Sequence, residues 1–263
     1  MATIRIGVGG WTYEPWRDNF YPKGLKHAGE LAYAGEHLTA IEVNGTYYGS
    51  QKPESFRKWR EETPDGFVFT VKGPRFATNR RVLAEAGESI GRFVGGGVTE
   101  LKEKLGAINW QFLPTKKFDA EDFEAFLALL PKEADGIALR HVVELRHESF
   151  RDPAAIALLA KYGVAQVIAE SDEHPQIADI TAPFVYLRLQ RSRAEEPAGY
   201  PEAELDAWAE RLRTYRDGGL PADLETVTET PPEKRPRDVF AFVISGAKER
   251  NPAAAMALIE RVK

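Results

Sequence analysis

A single α/β barrel of the TIM type, (β/α)8, is the fold this sequence predicts over residues 1–263, with parallel strands and long loops at the C-terminal mouth. Three observations predict it. Eight short apolar runs bounded by Gly, Pro and charge recur along the whole chain, helical spacing fills most of the intervals, and 263 residues suit one such barrel. An open doubly wound sheet is the alternative; eight repeats favour closure.

The first run, Ile4 to Gly9, leads into a long loop, Gly10 to Lys26, rich in aromatics. The second, Ala40 to Asn44, is followed by a helix over Pro53 to Glu62, and the third, Phe67 to Lys72, by a helix over Ala86 to Leu105. The fourth and fifth, Ala107 to Phe112 and Val142 to Arg146, precede helices over Ala120 to Leu130 and Pro153 to Tyr162. The sixth is Ala165 to Ala169; the seventh, Phe184 to Leu189, precedes a charged loop, Gln190 to Pro201, and a helix over Glu202 to Arg216. A Pro-rich, charged excursion, Gly218 to Arg237, then precedes the eighth run, Val239 to Ile244, and a last helix over Pro252 to Val262. Asp152-Pro153 and Asn251-Pro252 each set a capping side chain before a proline at the first helical position.

The chain carries a net charge of -5 and a pI of about 5.7, which argues against a uniformly basic nucleic-acid binder. It has no cysteine, so disulfides, thiolate metal sites and catalytic thiols are excluded and a reducing, cytoplasmic location is expected. The N-terminal residues enter a strand directly, without a signal peptide, and no apolar run is long enough for a membrane span. The five histidines show neither HxH nor HExxH spacing, no cofactor is implied, and a metal site is not expected. His174, in the acidic stretch Glu170 to His174, reads as part of a solvated loop. Gly7-x-Gly9-Gly10 and Gly95-Gly96-Gly97 lack the residues that complete a phosphate or dinucleotide fingerprint; small residues ending the first strand leave room at the mouth.

Side chains alternate between the lumen and the helix layer along a barrel strand. If Ile41 and Val43 face the helices, Glu42 and Asn44 face inward; the same parity sends in Lys72, Gln111, Glu144, Arg146 and Arg188, and Gln166 and Glu170 share one parity on the sixth strand. Most lie late in their strands, near the mouth where barrel sites are built. Glu42, Lys72, Glu144, Arg146 and Arg188 sum to +1 and must be paired, hydrated or facing a ligand, because each unpaired buried ion costs several kcal/mol. A purely structural ion network is the competing reading.

Within this set Arg146 suits a carboxylate or phosphate, with Glu144 or His147 as proton carriers; the alternative pairs Glu144 with an arginine and leaves His147 capping a loop. Lys72, at a strand end, could form a Schiff base if its pKa were lowered, but its acidic neighbours are expected to keep it protonated, and an ion-pair partner is the favoured role. Trp11, Tyr13, Trp16, Tyr47 and Tyr48, with Arg75, Arg80 and Arg81, could stack and pair with a nucleotide or single strand, or simply anchor long loops.

Several segments carry a resemblance. Gly10-Trp11-Thr12-Tyr13, Ile41 to Tyr48, Phe67 to Lys72 with Pro74-Arg75, Gln111 to Pro114, Val143 to His147 and Tyr186 to Leu189 make the chain similar to the YecE-like family, domain of unknown function 72. The resemblance implies a TIM-like barrel, of a kind likened to sugar isomerases and endonuclease-IV-type repair enzymes. By position it implies a pocket of Glu42, Asn44, Tyr47, Lys72, Gln111, Glu144, Arg146 and Arg188. The last strand departs from the pattern: Ile244-Ser245 stands where the family often has paired asparagines.

The resulting expectation is an enzyme for a small anionic substrate, a sugar phosphate or nucleotide. Arg146, Arg188 and Lys72 bind the anion, Glu42 or Glu144 acts as acid or base, and Asn44, Tyr47 and Gln111 orient the substrate. The alternative is a nucleic-acid or nucleotide binding protein without turnover.

Overall fold

A computed structural model describes residues 2–263. Its eight parallel strands close into a barrel in simple sequential order: β1 (Ile4–Gly9), β2 (Ala40–Val43), β3 (Val68–Lys72), β4 (Leu105–Gln111), β5 (His141–Glu144), β6 (Ala165–Glu170), β7 (Phe184–Leu189) and β8 (Asp238–Val243), with β8 pairing back onto β1. A small antiparallel hairpin, Glu133–Ala134 with Ile137–Ala138, lies before β5.

Two apolar layers follow from strand alternation. Ile41, Val43, Phe69, Val71, Trp110 and Leu187 belong to the large core between strands and helices, whereas Ala40, Ala107, Val142, Phe184, Tyr186 and Phe240 pack in the lumen. Alternating small and aromatic side chains fill the middle of the lumen, with a polar set above them toward the C-terminal end. Among the described residues no helix is long and apolar enough to cross a membrane.

The sequence reading needs correction in three places. An unanticipated helix, Glu30–His37, joins β1 to β2. The helix expected over residues 86–105 is broken: Gly87–Val94 is helical, Gly97 adopts φ 101°, and Val98–Lys104 continues as 3₁₀ turns. Gly97 lies so close to Pro53 that a Cβ would stand 2.7 Å from its ring, so the break is a packing feature of a left-handed glycine. Between β6 and β7, where the sequence offered no helix, the chain meets the excursion before β8: the Asp179 carboxylate accepts from the backbone N–H groups of Val227 and Thr228 at 2.7 and 2.9 Å. Finally, Asp152 caps its helix by accepting from Ala154 N, but Asn251 turns its amide to Ser192 and Ser245 instead.

Candidate functional site at the barrel mouth

The polar side chains of the lumen form two tiers. In the lower tier, Thr70 donates to the Tyr186 hydroxyl (2.9 Å), which donates to Glu42 Oε2 (2.6 Å); Asn109 Nδ2 donates to the same oxygen at 3.3 Å. Arg188 joins the tiers through Nη2 to Glu42 Oε1 (3.2 Å) and Nη1 to both oxygens of Glu144 (2.6 and 2.7 Å). Arg146 closes the upper tier by donating from Nε and Nη2 to Glu144 Oε1, at 2.9 and 2.6 Å.

These contacts account for the buried charge. Glu42, Glu144 and Arg188 are all essentially inaccessible, and each finds charged partners, so burial is tolerated. Burial alone would raise the Glu144 carboxyl, but Arg188, Arg146 and Lys72 overrule it and hold it down at about 2. Burial raises the Tyr186 hydroxyl well above its ordinary value, and Glu42 adds to the effect.

Lys72 behaves differently. Its Nζ donates to Gln111 Oε1 at 2.5 Å, while the nearest carboxylate oxygen, Glu42 Oε1, stands 3.9 Å away. Burial, followed by the field of Arg188, lowers the ammonium to about 8. Glu42 and Glu144 still favour the ammonium, but burial and Arg188 outweigh them, and the arginines approach the carboxylates more closely than Lys72 does.

Above the upper tier opens a cavity of about 450 Å³. Its wall includes Asn44, Tyr47, Lys72, Gln111, Arg146 and Arg188 from the strand ends and their loops, joined by Ile244, Ser245, Lys248 and Asn251 after β8. Lys248 and Asn251 were missed in the sequence; their position just after the last strand was the available signal. Lys248 is held by Trp16 Nε1 donating to its carbonyl (2.8 Å), and its ammonium lies 4.2 Å from the Tyr13 ring. Tyr47 donates to Asn79 Oδ1 at 3.2 Å.

Other candidates lie outside this cavity. Glu42 and Glu144 sit beneath the cations and do not line it, so neither is placed as the expected acid or base toward a ligand. His147 is a cap: its Nδ1 accepts from Ser149 N at 3.1 Å. Trp11 packs edge-on against Trp59, 5.2 Å between centroids, in the helix layer. Arg75 stands 5.5 Å from the exposed Phe76 ring, beside a separate, more apolar groove lined by Pro74, Phe76 and Phe93. Gln166 and Glu170 face the helices rather than the lumen, since Ala165, Val167 and Ala169 take the inward parity; Glu170 accepts from Tyr200 (2.6 Å) and Trp208 (2.9 Å). His174, read as a solvated loop residue, lies in a loop but is half-buried there, and burial lowers its imidazole below the ordinary value. Among the described residues no group of three or more His, Asp or Glu is arranged to hold a metal ion.

Closed sequential strands and a charged C-terminal mouth define a TIM-barrel protein. The profile of the family described as "Protein of unknown function DUF72" matches residues 5–263, and the chain belongs to that family. It is similar to the UPF0759 protein YecE of Escherichia coli O157:H7, 29% identical over 176 residues, a match covering 64% of this chain and 59% of that protein. The chain thus spans less than two thirds of that curated relative. In fold it resembles the DUF72 family protein TM1631 of Thermotoga maritima MSB8 (TM-score 0.70, 22% identity, covering 98% of this chain and 97% of that one). It also resembles the DUF72 family protein EF0366 of Enterococcus faecalis V583 (TM-score 0.72, 16% identity, 99% and 95%).

Proposed function

We propose that the barrel mouth binds a small anionic molecule with the size and charge of a sugar phosphate or nucleotide, and acts on it there. One observation carries this reading. Lys72, Arg146, Arg188 and Lys248 line the cavity, and no Asp or Glu does, in a protein whose net charge is -5. The carboxylates that balance these cations lie below them, so the cavity itself presents positive charge and amide donors. Arg146 retains donors for an anion, and Asn44, Tyr47 and Gln111 are placed to orient its polar body. Glu42 and Glu144 act as positioning residues that hold the arginines in place.

A thermal-shift screen of phosphorylated and carboxylated metabolites tests it, run on wild type and Arg146→Ala. A ligand that raises the melting temperature of wild type and loses that effect in the variant supports the reading; a panel in which no anion stabilises the protein overturns it.

A second reading, nucleic-acid binding, is favoured by Tyr48 and Phe76, 67% and 61% exposed in the short helical turns after β2 and β3, with Arg75 beside Phe76. Bases stack on such rings while arginines pair with phosphates. Affinity for single-stranded DNA that falls with salt and with Arg75→Ala supports this second reading, and no binding at low salt ends it.

A further inference from the structure

We propose that Lys72 forms an imine with the carbonyl carbon of a small anionic aldehyde or keto acid held in the mouth, an inference that rests on the anion-binding reading above. The argument starts from how the charges are shared out. Two carboxylates face three cations, Lys72, Arg146 and Arg188, and the two arginines take them by direct hydrogen bonds. Among the described residues the Lys72 ammonium has one hydrogen-bonded partner, the neutral amide of Gln111. A lysine kept simply as a counter-ion would sit on a carboxylate.

The residue type matters at this place. A guanidinium stays protonated wherever it is buried, whereas an ammonium gives up its proton as water is removed. The Lys72 side chain is 9% exposed, stands at the end of β3 where it lines the cavity, and has the Tyr47 ring 5.8 Å from its nitrogen. It is thus desolvated yet open to a ligand on one side, the setting in which lysine becomes a nucleophile.

The step balances without an oxidant or cofactor. The neutral nitrogen attacks the carbonyl carbon, forming the C–N bond as the carbonyl π pair moves to oxygen. The two amine protons leave with that oxygen as water, and the nitrogen lone pair completes the C=N bond. Arg146 and Lys248, on the same wall, hold the anionic group of the substrate. Once protonated, the imine draws electrons from the adjacent carbon, which suits proton abstraction or C–C cleavage next to the former carbonyl.

The test is reductive trapping on the intact protein. Wild type is incubated with pyruvate and sodium cyanoborohydride and mapped by peptide mass. The Lys72 peptide is expected to be labelled faster than those of exposed Lys117 and Lys132 by roughly tenfold or more, because burial favours the free amine of Lys72 and the cavity holds the anion beside it. The labelling rate should level off above about pH 8. Inorganic phosphate should slow it, and acetone, which lacks an anionic group, should react more slowly than pyruvate. Lys72→Arg, folded by circular dichroism, should lose this preferred adduct. Even labelling of surface lysines, or an unlabelled Lys72 in a protein that anions still stabilise, overturns the imine and leaves the anion reading standing. If no anion stabilises the protein and Lys72 is unlabelled, both fall.

Discussion

Arg188 Nη1 donates to both carboxylate oxygens of Glu144, at 2.6 and 2.7 Å, and this pair joins the two polar tiers of the lumen. Both side chains are buried, so removing one charge strands the other in a medium where an unpaired ion is costly. Glu144→Gln should lower the unfolding free energy by about 3–5 kcal/mol, read from urea denaturation midpoints. An unchanged midpoint in Glu144→Gln would show that the pairing contributes nothing.

The same carboxylate sets a response to acid. Glu144 is held at about 2 in the folded protein against an ordinary value of 4.5. The unfolded chain therefore takes up the proton first, and the stability this group contributes is whole above pH 4.5 and lost as pH falls toward 2. The difference is on the order of 3 kcal/mol. Between those limits wild type should lose more stability than Glu144→Gln, and parallel curves would refute the assignment.

How far the sequence foretold this site depended on how lopsided each strand is. On β2, β4 and β5 large apolar side chains occupy one parity (Ile41 and Val43, Ile108 and Trp110, Val143 with Leu145 just beyond the strand), so the inward set could be read directly, and Glu42, Asn109 and Glu144 lie in the lumen. β6 offers no such contrast. Its Ala165, Val167 and Ala169 are small enough for the lumen, and the partners that satisfy Glu170, Tyr200 and Trp208, come from 30 and 38 residues away. Nor could alternation decide which cation each carboxylate takes. That choice follows from side-chain reach across the lumen, from β7 to β5 and β2, and it left Lys72 with Gln111.

His141 gives a second, independent pH test away from the mouth. Trp110 Nε1 can only donate, so it fixes His141 Nδ1 as acceptor (3.1 Å) and places the ring proton on Nε2, which donates to the Pro131 carbonyl at 2.7 Å. Burial lowers the imidazole below its ordinary 6.5. Its contribution is therefore complete above pH 6.5 and declines as pH falls through the folded value, where a proton on Nδ1 would break the tryptophan bond. His141→Phe should cost about 1–3 kcal/mol at neutral pH, by leaving Trp110 and Pro131 unpaired, and should flatten the stability profile just below 6.5. A variant whose profile runs parallel to wild type would rule this account out.

Gly9 lets ligand binding be separated from folding. It ends β1 at the cavity wall, and a Cβ there would stand 2.7 Å from Asn44 Nδ2, closer than nonbonded atoms approach. Gly9 is not among the glycines that need positive φ, so alanine costs nothing in backbone conformation, and the strain falls on the end of one side chain. Asn44 must swing its amide aside. Gly9→Ala should therefore keep the urea midpoint within about 1 kcal/mol of wild type. An anion that stabilises wild type should lose most of its effect in the variant, because the orienting amide no longer meets it. If the ligand response survives unchanged, Asn44 has no part in holding the ligand, and the recognition must lie with the cations alone.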